Sequence, residues 1–189
     1  MLDRDAAVGL WREHNTEDAL FRHALSVEAA MRHFAKRHGE DPDYWGLVGL
    51  LHDVDYGKYP EEHLGHAREM LSAAGYPEAF IHAVESHGWG LCSDVEPVLL
   101  MEKVLYAVDE LTGFIAACAF VRPSRSVLDM EVKSVKKKWG SPAFAAGVNR
   151  SVIEKGAQLL GMSLEELIQE TILALRAEAE AVGLKGSVP

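Results

Sequence analysis

Cysteine is almost missing from this sequence. Cys92 and Cys118 are the only two, and neither stands in a C-x-x-C arrangement, which excludes a disulfide framework and a thiolate zinc site. No apolar run approaches the roughly 20 residues that span a bilayer. The first residues, MLDRDAAVGLWREH, mix acids and bases and lack the apolar centre of a secretory signal. A cytoplasmic protein with no membrane partner is the expectation. Positive charge is short as well: 19 Lys and Arg against 29 Asp and Glu leave a net charge of −10, which makes nucleic acid an unlikely partner. Strict polar–apolar alternation, the mark of half-buried strands, is also lacking.

What is present is helical periodicity. Asn15-Thr16 can cap a helix over 17–38, with Gly39 as its stop and Leu20, Val27, Ala30, Met31 and Phe34 as its apolar stripe. Further helices are expected over 41–53, 61–74, 77–87, 96–121, 127–138 and 144–160. Ser163 opens a last helix, reaching to about Val182, with the capping-box pattern S-L-E-E. LKGSVP reads as a frayed tail. The fold class is therefore all-α, divided as a helical domain over 1–125 and a C-terminal helical extension over 126–189 packed on the same domain.

Histidine is the residue in excess, with nine in 189 positions. His23 lies three residues after Leu20 and four before Val27, so it projects from the apolar face of its helix. Asp109 sits likewise among Met101, Leu105, Val108 and Thr112. A carboxylate facing a core is costly unless it is paired or bound to a cation. His52-Asp53, at the end of the apolar stretch GLVGLL, adds two more candidate ligands. A His-Asp dipeptide alone is close to a chance event. Three such features on three helices point to a divalent-metal site of imidazoles and carboxylates.

The order His23, His52-Asp53, Asp109 resembles the H…HD…D signature of the HD-domain superfamily of metal-dependent phosphohydrolases, with LLHD closing one helix and AVDEL inside a later one. The match covers about 16–121. The resemblance implies an all-α HD-domain bundle with additional C-terminal helices, in which His23, His52, Asp53 and Asp109 bind a divalent metal that activates water against a phosphoester. It also implies that His66 and His87, lying between HD and the final Asp, help ligate a second metal, with Asp53 bridging. His33, His38, His63 and His82 are expected at the surface or at helix ends. Two departures stand out. HDVDYGK replaces HDIGK, with Asp55-Tyr56 in the position of an insertion. SHGWG stands where cyclic-dinucleotide phosphodiesterases carry HHE…GYP, so a cyclic dinucleotide is not supported.

Lys58, just past the HD turn, and Arg122, just past the Asp109 helix, are candidate phosphate contacts, and Glu85 is a candidate proton carrier beside His87. The segment VRPSRSVLDMEVKSVKKKWG carries Arg122, Arg125, Lys133, Lys136, Lys137 and Lys138 against Asp129 and Glu131. It is either a funnel for an anionic substrate or a solvated face. The expected function is hydrolysis of a small phosphorylated metabolite or nucleotide through one or two divalent ions (Mn, Fe, Zn, Co, Ni or Mg). The alternatives are a non-catalytic module binding metal or nucleotide and a di-iron oxygenase. A homodimer is compatible with the sequence.

Overall fold

The computed structural model describes residues 3–187. Among them there are nine α-helices and no strand beyond one bridge between Trp89 and Ser93. The helices are α1 (Arg4–His14), α2 (Asp18–His38), α3 (Pro42–Leu51), α4 (Ala67–Ala73), α5 (Glu78–Ser86), α6 (Leu100–Phe120), α7 (Val132–Trp139), α8 (Arg150–Leu160) and α9 (Leu164–Ala177). No helix is long and apolar enough to cross a membrane.

The centre is built by α2, α3 and α6. Gly39, at φ +73°, ends α2 and donates its N–H to the carbonyls of Ala35 and Lys36. The chain then turns into α3, whose start is fixed by the Asp41 carboxylate accepting from Asp43 and Tyr44 N–H. Every residue of α3 from Trp45 to Leu51 is buried, so this helix is covered on all sides. It lies tight against α2 because residue 49 is glycine. A Cβ there would stand 2.9 Å from both the Val27 carbonyl oxygen and Met31 Cγ. That closeness sets His23 of α2 beside His52 at the end of α3.

Helices α8 and α9 pack against α6 and α2, and Ile153, Ala157, Leu167, Ile168, Ile172 and Leu175 share one core with Trp11, Phe34, Leu50 and Phe114. Gly156 meets Ala107 so closely that a Cβ would lie 2.6 Å from the Ala107 Cα.

Several boundaries differ from the sequence reading. Helix α1 was not anticipated; Asp3 caps it, Ala7 and Trp11 bury its inner face, and Arg4 makes a two-pronged ion pair with Glu28 of α2. Asn15 does not cap α2. Its side chain instead donates to the Val54 carbonyl at 2.8 Å and accepts from Gly57 N–H at 2.6 Å, pinning the loop after the HD pair. The helix expected over 61–74 is broken, because Leu64 takes a left-handed conformation at φ +66° and α4 begins only at Ala67. Pro97 delays α6 to Leu100. Turns occupy 141–149, held by the Arg150 guanidinium donating to the carbonyls of Trp139, Ser141 and Phe144. The tail over 184–187 is tied down: Leu184 is buried, its carbonyl accepts from Val127 N–H, and Ser187 N–H donates to the Ser124 carbonyl. The last two residues of that expected frayed tail lie outside the described residues.

Gly49→Ala and Gly156→Ala each force a methyl into backbone of a neighbouring helix. Each is expected to lower unfolding free energy by about 1–3 kcal/mol, read as a shift of the urea midpoint at constant m-value. An unchanged midpoint in both would show that the helix pairs are not in this close contact.

Candidate metal centre

Four elements converge at one end of α3. From α2, His23 Nε2 lies 2.9 Å from Asp109 Oδ1 of α6 and 3.2 Å from His52 Nε2. The second oxygen of Asp53 lies 3.3 Å from His52 Nε2 and 3.7 Å from His23 Nε2. The first oxygen of Asp53 points the other way, 3.3 Å from His63 Nε2 and 3.5 Å from His87 Nε2. Asp53 thus stands between two groups, with His23, His52 and Asp109 on one side and His63 and His87 on the other. Ligand atoms of His23, His52 and Asp109 lie within 4.8 Å of one another, as do those of His52, Asp53 and His87.

The outward nitrogens of three imidazoles are committed. His52 Nδ1–H donates to the Gly49 carbonyl at 2.7 Å, and His87 Nδ1–H donates to the Val84 carbonyl at 2.6 Å. His63 Nδ1–H donates to Asp55 Oδ1 at 3.1 Å. A carbonyl or carboxylate accepts only, so these bonds place a proton on each Nδ1, and each Nε2 faces inward with a lone pair or, where the ring is charged, a second proton. Yet Nε2 of His63 and Nε2 of His87 stand 3.1 Å apart. Two lone pairs at that distance repel unless a cation or a proton lies against them. Charge balance agrees. Burial opposes ionisation of Asp53 and Asp109, but the surrounding histidines outweigh it and hold both carboxyls well below the usual range. Burial likewise opposes a charged His52, and Asp53 and Asp109 override it and push its pKa well above the usual imidazole value. A buried pair of carboxylates is demanding positive charge. Imidazole nitrogens and carboxylate oxygens in this arrangement could hold a metal ion, and their chemistry suits divalent transition metals.

His63 is placed by the two residues that interrupt the HDIGK pattern. Asp55 is fully buried; one oxygen holds His63 and the other accepts from the N–H groups of His66 and Ala67, capping the start of α4. Burial would raise its pKa, but His63 and these backbone donors keep it low. The Tyr56 ring meets the His63 ring edge-on, with centroids 5.1 Å apart. The reversal at Leu64 then carries the next histidine away.

This is where the sequence reading is corrected. His66 does not join the group: its Nε2 bonds Glu62 at 2.8 Å and its ring stacks on Tyr59 at 3.8 Å, facing a different cavity, between α1 and α4. Lys58 lines that same cavity. Arg122 is engaged with Asp129 at 2.8 Å and with Ser134, and Glu85 is held by Arg68. None of these lines the cavity over the His/Asp group. His63, expected at the surface, takes the place expected for His66. The signal that could have found it is the carboxylate of Asp55 eight residues before it.

The cavity over the group has a volume of about 320 Å³ and is walled by Leu20, Tyr56, Leu91, Glu110 and, from the C-terminal part, Gly147 and Val152. Burial, with help from neighbouring Asp109, pushes the Glu110 carboxyl up to about 7.

The fold and site define an all-α protein with a His/Asp centre of the metal-binding type. The HD-domain family model matches residues 20–112, from one turn before His23 to just past Asp109 and just under half of the chain; this segment is similar to that family, whose members are helical and typically metal-dependent phosphohydrolases. A comparison with curated proteins found no match, and neither did one with solved structures.

Single alanine variants separate the two candidate histidines. His63→Ala is expected to lower the metal content of the purified protein and His66→Ala to leave it unchanged, as read by elemental analysis. His52→Ala and Asp53→Ala are expected to lose metal and to melt lower, because ligands from separate helices no longer share an ion. Retention of full metal content by both of these would remove the assignment.

Proposed function

We propose that the chain is a metal-dependent phosphohydrolase acting on a small phosphomonoester at a centre of two divalent ions. The carrying observation is Asp53, whose two carboxylate oxygens face opposite ways, one toward His23 and His52 and the other toward His63 and His87. The match to the HD family supports hydrolase chemistry. Asp53 would be shared between two ligand sets, His23, His52 and Asp109 on one side and His63 and His87 on the other. Divalent ions held there would supply a water of lowered pKa and neutralise charge on phosphoryl oxygens.

The residues of the chain do the rest. His52 and His87, both buried and both anchored through Nδ1 to carbonyls, hold their Nε2 atoms in fixed directions, so little reorganisation accompanies ligand binding. Leu20, Leu91 and Val152 cover the approach and limit competing water. A cavity of about 320 Å³ lies at the small end of the roughly 300–1,000 Å³ range of ligand sites, which favours a small monoester over a dinucleotide or a macromolecule.

Protein stripped by chelation and reloaded with Mn, Co, Ni, Fe or Zn should release phosphate from members of a monoester panel. Asp53→Asn should reduce kcat by about a thousandfold or more, by analogy with the loss of other electrostatic catalytic groups. Full metal occupancy with no phosphate release from any member would favour a binding module, and oxygen consumption by the iron form would favour oxidation chemistry.

A further inference from the structure

The cavity wall carries a charge pattern that the metal centre does not account for. Its acidic residues are Asp53, Asp109 and Glu110, and among the described residues lining it none is lysine or arginine. Asp53 and Asp109 are engaged by imidazoles. Glu110 is not: it forms no salt bridge among the described residues, and the backbone N–H of Asn149 is its partner on the protein side. It follows Asp109 on α6, about 100° further round the helix, and so stands beside the metal group. Gly113 lies one turn on, on the same face as Glu110. A Cβ there would meet no atom within 4 Å, so the wall next to Glu110 is open space. The same cavity is lined by Leu20, Leu91 and Val152. Lys155, one turn past Val152, is not in the wall; its Nζ sits 3.2 Å from the centre of the Trp89 ring.

A monoester's phosphoryl group brings one to two negative charges, which the ions of the centre would balance. The remainder of the molecule then meets apolar surface and the Glu110 carboxyl, which is ionised above about pH 7 and has no cationic partner among the described residues. A hydroxyl or an ammonium group satisfies Glu110. A second anion faces it with no compensating cation, in surroundings where charges are poorly screened.

We propose that Glu110 is a specificity-determining residue that selects monoesters of small hydroxyl- or amine-bearing alcohols and rejects substrates with a second anionic group, carboxylate or phosphate. This deepens the hydrolase reading and rests on it. The test uses the metal-loaded full chain and two non-hydrolysable phosphonates of matched length, 3-aminopropylphosphonate and 2-carboxyethylphosphonate, with dissociation constants from calorimetry at about pH 8.5, where Glu110 is ionised. The amine is expected to bind at least tenfold more tightly than the carboxylate. Glu110→Gln should narrow that ratio to about threefold or less, and Glu110→Lys should reverse it, with metal content checked in each. Equal affinities in the unmodified protein, or a ratio unmoved in variants that keep their metal, would overturn the proposal. If a variant loses metal, the ratio in the unmodified protein decides alone. Hydrolysis of ethanolamine phosphate and phosphoglycolate is measured in parallel. Turnover of both with an affinity ratio near one would sink the selection by Glu110 and leave the hydrolase reading standing. No turnover with the ratio intact would do the reverse.

Discussion

Four inward-facing imidazole nitrogens, crowded around the half-buried carboxylates of Asp53 and Asp109, form the constraint on which the rest of this structure depends. His63 and His87 bring Nε2 atoms to 3.1 Å, and His23 and His52 do so at 3.2 Å. Such contacts are unfavourable between neutral rings that have already spent their protons elsewhere, as His52, His63 and His87 have. They become favourable when positive charge lies among them. The outward hydrogen bonds to Gly49, Val84 and Asp55 are the means by which the fold keeps the inward lone pairs free. The helices around the centre act as its frame. Gly49 brings α2 against α3, Asn15 pins the following loop, and α6 supplies Asp109 from the far side.

The half of the centre formed by His23, His52 and Asp109 was legible in the sequence because each of those residues lies on, or ends, a regular helix. There a spacing of three and four residues states which way a side chain points. Of the other half, His87 ends α5, while His63 lies on irregular backbone. His63 sits in a turn before a left-handed Leu64, and no periodicity describes that geometry. His66 was expected at the centre through the family resemblance alone; on an unbroken helix through 61–74 it would share a face with His63, and the break at Leu64 sends the two apart. The missing information was chemical: Asp55 is fully buried and bonds the His63 ring as well as the N–H groups of His66 and Ala67. Helix α1 was overlooked because its inner face is only Ala7 and Trp11, too sparse a stripe to read. Its hold on the molecule comes from the full burial of Trp11 and Ala7 together with the Arg4–Glu28 pair, whose partners are 24 residues apart.

Asp55-Tyr56 therefore explains a departure that looked like an irregularity. A loop two residues shorter would leave His63 without its carboxylate partner and without the ring of Tyr56 against its edge. It would also leave the first N–H groups of α4 uncapped, since the same carboxylate serves both. One buried acid orients a candidate ligand and starts a helix. Replacing it thus affects the loop as a whole, and its influence on the centre cannot be separated from its influence on α4.

Charge outside the centre sorts by the same logic of partners. The basic segment after α6 was open to two readings, a funnel for anions or a solvated face, and Arg122 pairs with Asp129, Lys133 with Glu131 and Lys136 with Glu165. Exposed pairs of this kind contribute little to stability, and they also cancel the field a substrate would feel at a distance. With no lysine or arginine among the described residues of the cavity wall, attraction for an anion within the cavity would originate at the centre itself. On the proposed hydrolase reading, affinity for a phosphorylated molecule then depends on metal. The C-terminal helices contribute shape to this arrangement. Gly156 lets α8 settle on Ala107 of α6, and that seat brings Val152 to the cavity that Glu110 also lines. A steering role for the basic segment would require its charges to be free, and the structure pairs three of the six.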